Sequence, residues 1–230
     1  MSKSRRKNST VTEIQSSRAF HIQPMNNKQQ ALLDAIHDHT MTVAIGTAGT
    51  GKTYCSASKV AQLFLKGGYD KIVLTRPNIS TGKSVGFFPG TVEEKLSVWL
   101  QPLLTTLKEA FGAGRFEYLM SKGQIMIQPL ETIRGQSFND ALILIDECQN
   151  MDMHEIEAVT TRIGRNSKMV LMGDPKQSDV KNGLAIEKFV EMCEKYNIDV
   201  PVIRFGLNDV VRSDIVGQLV KAFYYEGGKK

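Results

Sequence analysis

Short apolar runs set the rhythm of this chain. Six stretches, 42–45, 71–75, 124–128, 141–145, 168–172 and 200–205, are apolar almost throughout, without the alternation that a solvent-facing side would impose. Each has the length and make-up of a buried strand. Between most of them lie helix-compatible segments, over 54–66, 92–111, 152–163 and 184–196. A first amphipathic helix precedes the series, with Ala31, Leu32, Ala35 and Ile36 at helical spacing. Continuous apolar strands alternating with helices predict a mainly parallel sheet covered on both faces, a three-layer α/β domain.

One stretch breaks the rhythm. Residues 76–90 follow a strand and hold Pro77, Pro89, Gly82, Gly86 and Gly90, too long a connection to be ordinary, and such loops are usually functional or disordered. Residues 1–19 are polar and aperiodic and read as a flexible basic arm. The expected organisation is this arm, one domain over 20–226, and a short basic tail at 227–230.

Composition narrows the picture. With 230 residues, 41% of them hydrophobic, the chain can bury one substantial core and not two full-sized α/β domains. No run approaches about 18 apolar residues, so no membrane partner is expected. The charged N-terminus lacks the apolar stretch of a secretory signal. Cys55, Cys148 and Cys193 lie far apart with no CxxC pair, which implies neither a disulfide framework nor a zinc module. A cytoplasmic, reduced protein is expected. The net charge of +5 comes from the ends: Lys3, Arg5, Arg6, Lys7, Lys229 and Lys230 account for it, and the body is about neutral. Overall basicity is therefore a weak argument for a nucleic-acid partner.

Candidate chemistry begins at Gly46-Thr47-Ala48-Gly49-Thr50-Gly51-Lys52-Thr53, which matches GxxxxGK[ST] between a strand and a helix. Glycines let backbone N–H groups turn inward around a phosphate, and a helix starting near Lys52 aims its positive end at the same anion. Lys52 is the candidate for the β- and γ-phosphates, and the Thr53 hydroxyl for Mg²⁺. This pattern predicts a nucleoside triphosphate site of P-loop type. The run 141–145 then ends in Asp146-Glu147, at the sheet edge where α/β folds bind ligands. Asp146 suits the Mg²⁺ shell, and Glu147 suits the base that orients and deprotonates attacking water. A third strand ends in Gly173-Asp174-Pro175-Lys176-Gln177, where the neutral Gln177 amide can sense the γ-phosphate or place water; read alone, it is an ordinary turn.

A strand ending in Asp-Glu, followed by Gly-Asp-Pro-x-Gln, looks like the second and third motifs of superfamily 1 helicases. With 46–53, Leu74-Thr75-Arg76-Pro77, Gly86-Phe87-Phe88-Pro89-Gly90, Ile145 to Asn150, Thr161-Arg162-Ile163-Gly164, and Asp209-Val210-Val211-Arg212, the chain resembles the PhoH-like (phosphate-starvation-inducible) ATPase family over roughly 28–223. Cys148 stands where the family usually has Ala. The resemblance implies a RecA/helicase-like P-loop core that binds and hydrolyses ATP, often described as acting on RNA and commonly hexameric. It also implies an adenine-reading role for Gln29, against which stands an ordinary exposed helix position.

Phosphoryl transfer gains several orders of magnitude from an arginine at the γ-phosphate, supplied in cis or by a neighbour. Arg212 is the first candidate and Arg162 the second; each has a surface ion pair or cap as its alternative. Supply in trans would make a heterologous interface that closes into a ring, hence an expected hexamer. For a single-stranded RNA or DNA partner the candidates are Arg76, Lys83, Phe87 and Phe88, with Trp99 after them and Thr132, Arg134 and Ser137 before the Asp-Glu strand. Packing is the competing role for Phe87, Phe88 and Trp99. The functional expectation is a ring-forming, helicase-like ATPase motor on single-stranded nucleic acid, RNA favoured. The alternatives are an oligomeric ATPase that remodels proteins and, further off, a P-loop transferase.

Overall fold

The computed structural model describes residues 20–77, 92–133, 135–178 and 184–227. Lys83, Phe87, Phe88, Arg134, the N-terminal arm and residues 228–230 lie outside the described residues. Among the described residues the chain runs α1 (Asn27–Asp38), β1 (Met41–Gly46), α2 (Lys52–Lys66), β2 (Lys71–Thr75), α3 (Val92–Trp99), α4 (Gln101–Phe111) and α5 (Ala113–Ser121). It continues through β3 (Ile125–Ile127), α6 (Leu130–Ile133), β4 (Ala141–Ile145), α7 (Met153–Thr160), β5 (Lys168–Gly173), α8 (Ala185–Lys195), β6 (Val202–Phe205) and α9 (Asp214–Gly227).

The six strands form one sheet in the order β3-β2-β4-β5-β1-β6, and every pairing is parallel. The unalternating apolar pattern has its cause here: successive residues of a strand feed opposite layers. Ala44, Ile72, Leu74, Leu142, Leu144, Val170 and Met172 pack under α1, α2, α4 and α5. Val43, Ile45, Val73, Ile143, Ile145, Met169 and Leu171 face α6, α7 and α8. Both faces of the inner strands β2, β4, β5 and β1 are covered, whereas the edge strand β6 is only partly buried and carries the exposed Arg204.

Local signals explain several boundaries. Asn26 caps α1 by accepting from the Gln29 N–H, and α7 opens on a reciprocal box between Asp152 and Glu155. The helix expected over 92–111 is two helices. It breaks at Leu100, and α4 restarts with Pro102 near its N-terminus, where a missing N–H costs nothing. The apolar pattern does not predict α5, α6 or α9. In α9 the spacing of Ile215, Leu219 and Phe223 is helical, but these side chains are exposed rather than packed on the sheet.

The strand order places the functional edge. Because all strands are parallel, the loops leaving β1, β4 and β5 emerge on the same side. β5 pairs with β1 on one side and with β4 on the other. The segments after these three strands are therefore neighbours in space, although 46 and 177 are far apart in sequence.

Candidate nucleotide site

The loop leaving β1 owes its shape to glycine. Gly46, Gly49 and Gly51 have φ of 129°, 80° and 85°, which a side chain would strain. At Gly46 a Cβ would also overlap the Phe205 carbonyl oxygen, so β6 can pack against the loop only if residue 46 is glycine. The loop is tied internally by the Thr50 hydroxyl, which donates to the Thr47 carbonyl (2.9 Å), and by the Thr47 N–H, which donates to Phe205 O (3.2 Å). It runs directly into α2, whose first residue is Lys52.

Lys52 is buried, and its Nζ donates to the carbonyls of Gly46 (2.6 Å) and Thr47 (2.9 Å). Burial pushes its pKa below the ordinary lysine value, while Asp174, Asp146 and Glu147 work in the opposite direction. The three carboxylates favour the charged ammonium, while its hydrogen bonds go to the two loop carbonyls. Thr53 is half-buried and lines the same cavity.

Asp146 and Glu147 follow the last residue of β4. Asp146 is buried, and burial, reinforced by the neighbouring Glu147 charge, lifts its carboxyl pKa to about 6. The Glu147 N–H donates to Asp146 Oδ1 (3.1 Å), and the Asp146 N–H donates to Thr75 O on β2 (3.0 Å). Glu147 adopts a left-handed backbone (φ 55°), uncommon for a residue other than glycine. Its carboxylate accepts a hydrogen bond from Gln149 Nε2 (2.5 Å).

The residues present fit a divalent cation. Asp146 carries a carboxylate whose charge the protein leaves under-compensated, and the Thr53 hydroxyl lines the same cavity. No cluster of three or more His, Cys, Asp or Glu able to hold a metal occurs among the described residues. One carboxylate and one hydroxyl are the donor set of Mg²⁺ bound with a nucleotide, which takes one or two protein ligands and shares the rest with phosphates and water.

The end of β5 closes the site. Asp174 Oδ2 accepts from the Ala48 N–H of the phosphate loop (3.2 Å) and from Gln177 Nε2 (3.0 Å). Gln177 is exposed at the rim and held by Asp174. Arg212 enters from beyond β6. The Val211 N–H donates to Gly49 O (3.0 Å), and a Cβ on Gly49 would lie 3.2 Å from Arg212 Cγ. Arg212 therefore borders its own chain's phosphate loop. Arg162 sits elsewhere: its carbonyl accepts from Phe138 N–H (3.0 Å), just before β4 begins, at the opposite edge of the sheet.

These groups surround one cavity of about 620 Å³. Its lining includes Ala48 to Tyr54, Asp146, Glu147, Gly173, Asp174, Gln177 and Arg212. Gln23, Met25, Gln29, Pro102, Thr106 and Val211 extend it beyond the phosphate loop. Gln29 is buried with both ends of its amide engaged: Oε1 accepts from Met25 N–H (2.8 Å), and Nε2 donates to Thr50 O (2.9 Å). The side chain pins the loop to α1.

Of the expected nucleic-acid residues, Arg76 is half-buried against Trp99, with its guanidinium 5.1 Å from the ring centroid and Nη1 donating to Trp99 O (3.3 Å). Thr132 and Ser137 are exposed. Sequence reasoning alone does not single out Gln149, Pro102, Thr106, or Asp174 as a partner of the phosphate loop. Gln149 and Asp174 do lie inside runs that mark the site in sequence, 145–150 and 173–177, whereas no run marks Pro102 or Thr106.

A glycine-shaped phosphate loop after β1, an acidic pair ending a non-adjacent parallel strand, and a polar tip on the strand between them define a P-loop nucleoside triphosphatase fold. Solved structures agree on that fold. The large terminase of a thermophilic bacteriophage matches with a TM-score of 0.53 at 15% identity, covering 86% of this chain and 50% of its own. The large terminase of bacteriophage HK97 matches with a TM-score of 0.54 at 9% identity, covering 86% and 47%. The thermophilic phage enzyme was also solved in complex with ATP-gamma-S, and that structure matches with a TM-score of 0.53 at 16% identity, covering 86% and 49%.

The chain belongs to the PhoH-like protein family, whose profile matches residues 21–224. It is 36% identical to a PhoH-like protein of Bacillus subtilis over 218 residues, covering 93% of this chain and 66% of that one. It is 31% identical to the protein PhoH of Escherichia coli, covering 86% and 57%. The chain thus spans about two thirds or less of the length of these relatives.

Proposed function

We propose that this protein binds ATP with Mg²⁺ in the cavity at the C-terminal edge of its sheet and hydrolyses it. The observation that carries this reading is convergence: Lys52, Asp146 and Glu147 come from segments nearly one hundred residues apart and meet at one cavity with the phosphate loop. Lys52 and the loop N–H groups hold the β- and γ-phosphates. Thr53 and Asp146 are the residues that would hold Mg²⁺, which would supply positive charge against the phosphates. Glu147 takes the proton of the attacking water, and Gln177 at the rim meets the γ-phosphate. Arg212 stabilises the transition state from within the same chain, a reading supported by its position beside Gly49. Gln29 bounds the base end of the cavity and fixes the loop there.

We further propose action on single-stranded nucleic acid, RNA before DNA, by an oligomeric ring. Support comes from the order of motifs, which follows that of superfamily 1 helicases, and not from charge. The ring rests on the family resemblance, since an arginine in cis removes the chemical need for a neighbour's. One observation favours the alternative of a protein-remodelling ATPase: Arg76 is engaged with Trp99 instead of being offered to a strand.

Steady-state phosphate release, with and without single-stranded RNA and DNA at two salt concentrations, tests both readings. Stimulation that fades with salt makes the polynucleotide the substrate. Appreciable turnover indifferent to any polynucleotide favours protein remodelling, and absence of turnover refutes the hydrolase.

A further inference from the structure

Gln149 lies on the turn Cys148–Asn150, is 1% exposed, and uses both ends of its amide. Nε2 donates to Glu147 Oε2 (2.5 Å), and Oε1 accepts from the backbone N–H of Asp174 (3.0 Å). Its own carbonyl accepts from the Ser178 hydroxyl (3.0 Å). The fit is tight: a Cβ on Gly173 would overlap Gln149 Oε1, so glycine at the end of β5 is the condition for this amide to reach its partners. Asp174 in turn accepts from Ala48 N–H of the phosphate loop (3.2 Å). One continuous chain of hydrogen bonds therefore runs from the Glu147 carboxylate through Gln149 to the tip of β5 and on to the phosphate loop.

We propose that Gln149 is the positioning residue that aims the Glu147 carboxylate at the attacking water and fixes it to the end of β5. This rests on the reading of Glu147 as the base and names what holds it. A glutamate side chain has three rotatable bonds, and a base is effective only within hydrogen-bond reach of its proton. Glu147 also leaves the strand in a left-handed conformation, so its backbone alone does not continue the direction set by β4. Gln149 engages one carboxylate oxygen and leaves the other for water. The residue type follows from the two partners. The site needs a donor toward Glu147 and an acceptor toward Asp174 N–H, joined by a side chain of this length and without charge. Asparagine is one methylene short, glutamate would set a second carboxylate against the first, and methionine offers neither a donor nor a strong acceptor.

The test is a two-background kinetic comparison. Gln149→Met and Gln149→Glu are each made in the wild-type chain and in the Glu147→Gln chain. ATP affinity is measured by titration with Mg²⁺ present, and turnover by single-turnover phosphate release. In the wild-type background both variants should lose on the order of 100-fold in the hydrolysis rate, the cost of a misplaced catalytic group, with ATP affinity within about threefold. In the Glu147→Gln background the same substitutions should change the residual rate by less than about threefold, because residues acting as a unit are not additive. Gln149→Glu keeps the side-chain length and the acceptor for Asp174 N–H, so it guards against a fold that fails with methionine. An equal loss in both backgrounds, or affinity falling in parallel with rate, would make Gln149 a structural residue and overturn the proposal. Wild-type turnover by Glu147→Gln itself would instead remove the base, and the role of Gln149 with it.

Discussion

Replacing Asp146 with Asn should stabilise the protein at neutral pH, and the gain should vanish in mild acid. Asp146 is buried, and its carboxyl pKa is lifted from 3.8 to about 6, first by burial and then by the Glu147 charge. The folded chain therefore holds this proton more tightly than the unfolded chain does. Below about pH 4 both states are protonated and the group costs nothing. As the pH rises through about 6, the fold must keep a carboxylate that the unfolded chain keeps in water, and stability is lost. A shift of about two units corresponds to roughly 3 kcal/mol. Asn carries no charge and retains the oxygen that accepts from the Glu147 N–H. Asp146→Asn should thus exceed the wild type by about 2–3 kcal/mol at pH 7.5 and match it near pH 4. Urea denaturation of both chains between pH 4 and pH 8, in the presence of a chelator, reads this directly. Adding Mg²⁺ with an ATP analogue should favour the wild type, because the cation uses the charge that otherwise destabilises the fold. A stability difference that does not change with pH, or an Asn variant less stable at pH 7.5, would refute the claim that the site holds an under-compensated carboxylate.

Other outcomes follow from the same geometry. Lys52→Ala should weaken ATP binding about 10- to 100-fold, the worth of a charged hydrogen bond of about 1.5–3 kcal/mol, as read by nucleotide titration. Gly173→Ala should cost about 1–3 kcal/mol in denaturant stability, since its Cβ would overlap Gln149 Oε1 and meet Cys148 Sγ at 2.9 Å. Arg212→Ala should lower turnover about 10³-fold or more with little change in affinity. Mixing Arg212→Ala with Glu147→Gln chains should restore no activity if the arginine acts on its own chain, whereas recovery would show that it acts on a neighbour. The three thiols should resist aromatic disulfide reagents in the native state: all are buried, and burial pushes Cys55 up to about 11.

The sheet is legible in sequence because each inner strand is buried on both faces, so 71–75 and 141–145 stand out as unbroken apolar runs with the bounds found for β2 and β4. The phosphate loop and the Asp-Glu pair are legible for a different reason. Their chemistry is set by backbone shape and by strand ends, and both leave local marks in sequence. What packing decides is not legible. The break at Leu100 separates α3 from α4, and Pro102 and Thr106 on α4 then reach the cavity rim. No spacing rule announces that. The family resemblance gives Gln29 an adenine-reading role; in the structure it lies beside the loop with its amide bound to two backbone groups. Arg76 reads in sequence as available for a polynucleotide, and only the fold shows Trp99 against it. The α9 helix carries a helical apolar spacing in sequence, but that spacing does not tell that the stripe serves no layer of the sheet: Ile215 and Phe223 are 63% and 72% exposed.

Hydrolysis at this cavity with Glu147 as the base is tested most directly by measuring ATP binding and phosphate release together for the wild type and for Glu147→Gln. If Glu147 is the base, the wild type turns over ATP with Mg²⁺, and the variant binds ATP as tightly while releasing phosphate at least about 100-fold more slowly. Equal rates from the two chains would contradict the assignment of the base, and a wild type that binds ATP without releasing phosphate would contradict hydrolysis itself.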